Sequence, residues 1–334
     1  MAGRTQTALV FQGAGAVGAY HLGVWRRLHE AGIKPDIVTG VSIGAITAAV
    51  LVGAASGDPL RELEDIWKEF TVGAPFLLPQ AGRALSSVIN FGMYRPRLDV
   101  WAAPTWTALL STDPLRSTLV RHVDFDKLND SPVAFATSAI DVETGRIQCF
   151  RNRGGAYVAL DDIVASGSMP PGFPMTEIDG HSYWDGGPFD STPLQPALDL
   201  FDHGPNIRRR LILVAPLPCR GKVPTNINEV SERMVELQFS GRLHSELQRL
   251  KTRNTLIEII RDLEPEVQRR FMDAFPGARG LAPESYLDEI IHIGSSDPRV
   301  VTGASDFSAT AIRRRIEAGY QDAESVLAAS EASV

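Results

Sequence analysis

The chain has 334 residues, 44% of them hydrophobic and 22% charged, with a formal net charge of -7. That length carries one large α/β domain or a core with an added helical piece, and the composition excludes a largely disordered chain. The acidic balance excludes a basic nucleic-acid footprint, so no nucleic-acid partner is expected and any membrane contact has to be local and apolar.

In chain order, Thr7 to Gln12 (TALVFQ) is an apolar run stopped by glycine, which predicts a buried strand. Ala19 to Ala31 places Leu22, Val24, Trp25 and Leu28 at helical spacing and stops at Gly32. Asp36 to Thr39 predicts a second strand, and Ile43 to Val52 an alanine-rich helix buried on most faces. Strand, glycine turn and helix, twice over, predict a parallel sheet with crossover helices. After a helix at Leu60 to Phe70 the rhythm is lost as far as residue 130. Pro75, Pro79, Pro96, Pro104 and Pro114 sit there among Phe76, Leu77, Leu78, Val88, Ile89, Phe91, Met93, Tyr94, Trp101 and Trp106. Proline at this density defeats one long helix. The stretch from about 70 to 130 is therefore expected to be irregular. It is either a lid over the site that meets a membrane interface, or a subdomain whose aromatics pack on the sheet, and the sequence leaves both open.

Val133 to Ile140 and Arg146 to Arg151 predict two strands around a Glu143-Thr144-Gly145 turn. Asp162 to Ser168 predicts a short helix and Leu211 to Ala215 a buried strand. Residues 225 to 270 read as strongly helical, Ile290 to Ile293 as a last strand and Ser308 to Leu327 as a final helix, with Ala328 to Val334 fraying. Cys149 and Cys219 are too few for a metal framework or a disulfide scaffold and fit a reducing compartment. The opening MAGRTQTALVFQGAG reaches glycine before an apolar core of a signal peptide develops, and no run of ~18 apolar residues exists. The cytoplasm is the expected location, with peripheral contact at the inner membrane face.

Two glycine motifs carry chemistry. Gly40-Val41-Ser42-Ile43-Gly44 is a G-x-S-x-G between a strand and an apolar helix, the setting of a nucleophile elbow. The flanking Gly40 and Gly44 let the strand and helix backbones pass closely, and Ser42 points up at a helix N-terminus. Gly13-Ala14-Gly15-Ala16-Val17-Gly18 fits the dinucleotide fingerprint G-x-G-x-x-G. That fingerprint expects an acidic residue at the end of the next strand. Asp36 begins that strand instead, and its end is occupied by the serine turn. The other use of such a loop is an oxyanion hole of inward-pointing backbone N–H groups.

A serine hydroxyl needs a base. His292 lies in an apolar strand-like run and His244 on a charged helix, and neither has turn chemistry to present it. Asp185, in Tyr183-Trp184-Asp185-Gly186-Gly187, follows two aromatics and precedes two glycines that free its carboxylate. By itself that pattern also describes an aspartate capping a turn.

Together the glycine loop (FQGAGAVGAYHLGVWRRLHEAGI), the elbow (TGVSIGAITAA) and the block ASGSMPPGFPMTEIDGHSYWDGGPFDSTPLQPA resemble the patatin-like phospholipases, bacterial members included, over roughly residues 6 to 218. The resemblance implies a three-layer α/β fold with a mainly parallel central sheet. The core would span 1–218, and a mainly helical region, 219–334, would pack on it. That ending is similar to a region of undefined role attached to some bacterial members. The resemblance also implies a Ser–Asp dyad: Ser42 as nucleophile, Asp185 as base, and amides of Gly13, Ala14, Gly15 and Ala16 in the oxyanion hole, with Gly40, Gly44, Gly186 and Gly187 as support. The activity implied is fatty-acid release from a lipid ester without cofactor or metal. Two departures stand out. Val17 occupies a position where plant-type members carry arginine or lysine, which removes a fixed positive charge beside the oxyanion hole. Ser191 stands where an asparagine is usual. The alternatives are an acyltransferase, a hydrolase of hydroxyacid oligomers, and a membrane-recruited scaffold using residues 225 to 270.

Overall fold

The apolar run that opens the chain is covered on both faces. In a computed structural model describing residues 4–72, 90, 92–190, 192–202, 204, 206–217, 223–240, 243–275, 280–295 and 297–331, Ala8 and Val10 join one core with Leu194, Phe201, Leu243 and Leu250. Leu9 and Phe11, on the opposite face of the same strand, join a larger core with Leu22, Trp25, Ile46 and Trp67. A strand buried on both faces needs no alternation of polar residues.

The strands are β1 (Arg4–Phe11), β2 (Ile37–Gly40), β3 (Arg95–Pro96), β4 (Leu110–Ser111), β5 (Ala134–Asp141), β6 (Ile147–Arg151), β7 (Thr176–Ile178), β8 (His181–Asp185), β9 (Ile207–Val214) and β10 (Glu289–Ile293). The helices are α1 (Ala19–Glu30), α2 (Ile43–Gly53), α3 (Pro59–Phe70), α4 (Asp113–His122), α5 (Phe125–Asp130), α6 (Leu160–Ser166), α7 (Leu194–Asp199), α8 (Ile227–Ser240), α9 (Leu243–Arg261), α10 (Pro265–Ala274), α11 (Pro298–Val301) and α12 (Ala309–Glu331). The sheet runs β10-β9-β1-β2-β5-β8-β7, with β6 also on β5. The pairs β9/β10, β1/β9, β1/β2 and β2/β5 are parallel. β6, β7 and β8 add antiparallel pairs at the other end. With helices on both faces, this is a three-layer α/β fold with a mainly parallel central sheet and a largely helical C-terminal region.

Local chemistry sets several boundaries. α3 starts where Asp58 accepts the Arg61 amide at 3.1 Å, with Pro59 in the first turn, and Leu63, Ile66, Trp67 and Phe70 form its buried face. Residues 113–130, expected inside the irregular stretch, form α4 and α5. Pro114 sits in the first turn of α4, where its missing N–H breaks no hydrogen bond. Residues 73–89 and 91 lie outside the described residues, and with them Phe76, Leu77, Leu78, Val88, Ile89 and Phe91, as do Ser191 and Cys219. Met93 and Tyr94 are buried, and Tyr94 packs on Phe173 and Phe307. Trp101 is 81% exposed.

The C-terminal region is joined to the core at backbone distance. β10 is a strand of the central sheet. α12 lies against α1 so closely that a Cβ at Gly23 would stand 1.8 Å from the Ile316 carbonyl oxygen, and one at Gly319 2.2 Å from that of Tyr20. The helix continues to Glu331, past the point where fraying was expected.

Candidate active site

Ser42 ends the β2 turn and begins α2 with φ 58° and ψ -127°. A side chain in that region costs about 1–3 kcal/mol and persists only where the surroundings enforce it. Here both flanking glycines are required. A Cβ at Gly40 would stand 2.1 Å from the Gly44 carbonyl oxygen, and one at Gly44 2.4 Å from that of Phe11. The Ser42 amide donates to Ser166 Oγ at 2.9 Å, and Thr137 Oγ1 donates to the same oxygen at 2.9 Å. A buried serine from α6 thus pins the turn.

The register of β5 brings Asp185 to this turn. One edge of β5 carries β2 over Ala134 to Thr137 and then β8 over Ala139 to Asp141. The end of β8 therefore lands beside the end of β2, where Ser42 follows. The chain turns away at Gly186, whose Cβ would stand 2.8 Å from the Ser138 carbonyl oxygen and 3.2 Å from Val41 Cγ2. Asp185 is fully buried. Its amide donates to the Ser168 carbonyl at 3.0 Å, and its Oδ1 accepts the Gly187 amide at 2.7 Å. Oδ2 has no partner among the described residues. Burial pushes the carboxyl up to about 7, while the nearby Ser42 hydroxyl and the Gly187 amide, as donors, pull the other way. A carboxylate oxygen open to a serine hydroxyl can accept its proton.

The glycine loop also lies against Ser42. A Cβ at Gly13 would stand 3.2 Å from Ser42 Cβ, and Gly15 has φ +53°. Among the described residues the amides of Gly13, Ala14 and Gly15 donate to no backbone carbonyl, whereas the Ala16 amide donates to the Ala304 carbonyl at 2.7 Å. The Ala16 amide is thus engaged in this conformation, by a C-terminal segment that local sequence could not place beside the loop.

No histidine among the described residues bonds Ser42 or Asp185. His21 is buried against Phe11 and Thr47, and burial holds it neutral, down at about 3. Among the described residues His292 lies within hydrogen-bond reach of the Ala215 carbonyl alone, at 3.4 Å. Among the described residues there is no group of three or more His, Cys, Asp or Glu placed to hold a metal ion.

Comparison with known proteins then decides the family. The profile of the patatin-like phospholipases matches residues 9–198, over half of the chain. The chain belongs to the patatin-like phospholipase family. A second profile, described as patatin phospholipase, matches residues 237–333. A triacylglycerol lipase of Schizosaccharomyces pombe is 37% identical over 84 residues, 25% of this chain and 17% of that protein. Human patatin-like phospholipase domain-containing protein 6 is 24% identical over 186 residues, 56% of this chain and 12% of that protein. The chain thus spans less than a fifth of the length of these two relatives. The crystal structure of VipD from Legionella pneumophila aligns over 98% of this chain and 67% of its own, with 13% identity and a TM-score of 0.40.

In this patatin-like site, sequence reasoning did not single out Ser166, Gln12, Phe239 or Ala304. Ser166 had a local signal, since it opens the Ser-Gly-Ser of the third motif block. Gln12 bridges the ends of two segments: Nε2 donates to the Phe239 carbonyl at 3.0 Å, and Oε1 accepts the Leu217 amide at 3.2 Å. Those contacts span more than 200 residues and leave no local pattern.

Proposed function

We propose that the protein is a serine carboxylic-ester hydrolase that releases fatty acid from lipid acyl esters. The observation that carries this is the strained Ser42 turn beside a buried carboxyl that titrates at about 7. Asp185 accepts the Ser42 hydroxyl proton as Oγ attacks the ester carbonyl carbon. The resulting oxyanion is held by loop amides from Gly13, Ala14 and Gly15. Asp185 then gives its proton to the leaving alcohol as the C–O bond breaks, leaving an acyl-serine. Water attacks that ester with Asp185 again as base, and the proton returns to Ser42 Oγ as the fatty acid leaves.

The family and the exposed apolar surface of residues 98–109 support a lipid substrate. Leu98, Val100, Trp101 and Leu109 are 73%, 67%, 81% and 60% exposed. With a net charge of -7, contact with a lipid surface is apolar rather than electrostatic. Among the described residues no helix is long and apolar enough to cross a membrane. Phospholipid, lysophospholipid and neutral glyceride all present the required ester. A panel of these lipids with mass-spectrometric detection of released acid tests the reading. Acid release by wild type and none by Ser42→Ala is expected. Transfer of the acyl group to glycerol or a lysolipid, well above transfer to water, would assign an acyltransferase instead.

A further inference from the structure

Among the described side chains of α8, Phe239 is buried and several apolar residues are exposed. Phe239, in its last turn, is 3% exposed. Its ring fills the space over two glycines of the site. A Cβ at Gly187 would stand 2.0 Å from Phe239 Cε1, and a Cβ at Gly13 2.6 Å from the same atom. Gly13 is the residue that touches Ser42 on its other side. The second glycine after Asp185 therefore does more than free the carboxylate, since any larger residue would collide with this ring. Gln12 holds the Phe239 carbonyl at 3.0 Å and so fixes the last turn of the helix. In this state Ser42 is 8% exposed and Asp185 fully buried.

The outer face of the same helix has the opposite character. Ile227, Val230, Met234 and Leu237 follow helical spacing and are 76%, 40%, 59% and 46% exposed. The four stripe residues are uncharged, and the chain has a formal net charge of -7. An uncharged apolar stripe on an acidic protein is matched to a neutral or zwitterionic lipid surface, whereas an anionic surface repels the protein.

Resting on the reading of Ser42 and Asp185 as the catalytic pair, we infer that α8 is a lipid-operated gate. Phe239 closes the site in the free protein, and a zwitterionic lipid surface that takes up the Ile227–Leu237 stripe draws it out. The stripe and the plug share one helix, so movement of the helix into a lipid surface must move the ring from Gly13 and Gly187. Apolar area gained by the stripe drives the opening, and closure in water protects the ester site.

The test uses the full chain and a short-chain fluorophosphonate, with phosphatidylcholine vesicles as the lipid probe. Wild type should label at Ser42 at least ~10-fold faster with vesicles than without, the size of effect expected when the open state is a minor one in the free protein. Phe239→Ala should label at the fast rate without vesicles and hydrolyse a soluble p-nitrophenyl butyrate ester faster than wild type. Met234→Glu with Leu237→Glu should keep the wild-type rate on the soluble ester and lose both vesicle binding and the vesicle-dependent increase. A wild type that labels equally fast with and without vesicles overturns the gate, whether or not the Phe239 variant folds. So does activation by phosphatidylglycerol but not phosphatidylcholine, or a stripe that proves to hold two copies of the chain together by size-exclusion chromatography. These failures leave labelling at Ser42 intact. Absence of labelling at Ser42 in every variant and condition would instead remove the hydrolase reading on which the gate rests.

Discussion

Arg315 of α12 donates through Nη1 to the carbonyl of Ala16, 3.2 Å away and 299 residues earlier in the chain. The residue is 1% exposed. It also donates to the carbonyls of Val300, Thr302, Gly303 and Asp306. One side chain thus ties the glycine loop to the segment whose Ala304 carbonyl accepts the Ala16 amide. The C-terminal region sets the conformation of the loop proposed to bind the oxyanion.

Replacing this arginine should therefore reach the chemistry. Arg315→Met is expected to lower kcat by ~10-fold or more with little change in KM, because the loop amides act mainly on the transition state. Arg315→Lys should recover part of kcat. Steady-state kinetics on a soluble ester checks this. A role in folding alone would lower thermal stability and leave kcat of the folded protein unchanged.

The pH dependence of activity follows from Asp185. The carboxyl must be ionised to take the Ser42 proton, and burial raises its pKa to about 7. The kcat/KM profile on a soluble ester should rise through about 7 and level off above it. A plateau already reached at pH 5, as for an ordinary carboxylate, would remove Asp185 as the base.

The same burial predicts a stability effect of definite sign. The carboxyl holds its proton more tightly folded than unfolded. Its contribution to stability is complete below its ordinary value of 3.8 and is lost as pH rises to about 7. Asp185→Asn carries no charge to bury. It should melt about 5 °C above wild type at pH 8, and the gap should close near pH 4. Calorimetry across that range checks this. A gap independent of pH would mean that ionisation of Asp185 is not what costs stability.

Trp101 separates lipid contact from packing. It is 81% exposed, so Trp101→Ala should leave the melting temperature within the small range of surface substitutions. Hydrolysis of phosphatidylcholine vesicles should fall by ~5-fold or more, with a soluble ester turned over at the wild-type rate. Equal loss on both substrates, with a lower melting temperature, would assign Trp101 to packing.

Much of this site could be read from local pattern, for a physical reason. A strand, a serine between two glycines and an apolar helix specify their own backbone, because Gly40 and Gly44 admit nothing larger. The β7–β8 hairpin that delivers Asp185 was not anticipated, although its signal was present. Asp179 and Gly180 both have positive φ, 51° and 81°, as an Asp-Gly hairpin turn requires. Pro114 was read as a breaker although proline suits the first turn of a helix. Phe239, Ala304 and Arg315 had no local signal. Each reaches the glycine loop across more than 200 residues, and which distant segment fills a gap depends on packing of the whole chain.

The central claim, that Ser42 is the nucleophile, is tested most directly by trapping the acyl-enzyme. A p-nitrophenyl ester, whose activated leaving group makes acylation faster than deacylation, is added, the reaction is quenched with acid within the first turnovers, and the peptides are mapped by mass spectrometry. The account predicts an acyl adduct on the Ser42 peptide, its absence in Ser42→Ala, and a loss of turnover in that variant of ~10³-fold or more. An adduct on another residue, or Ser42→Ala turning over at the wild-type rate, would contradict it.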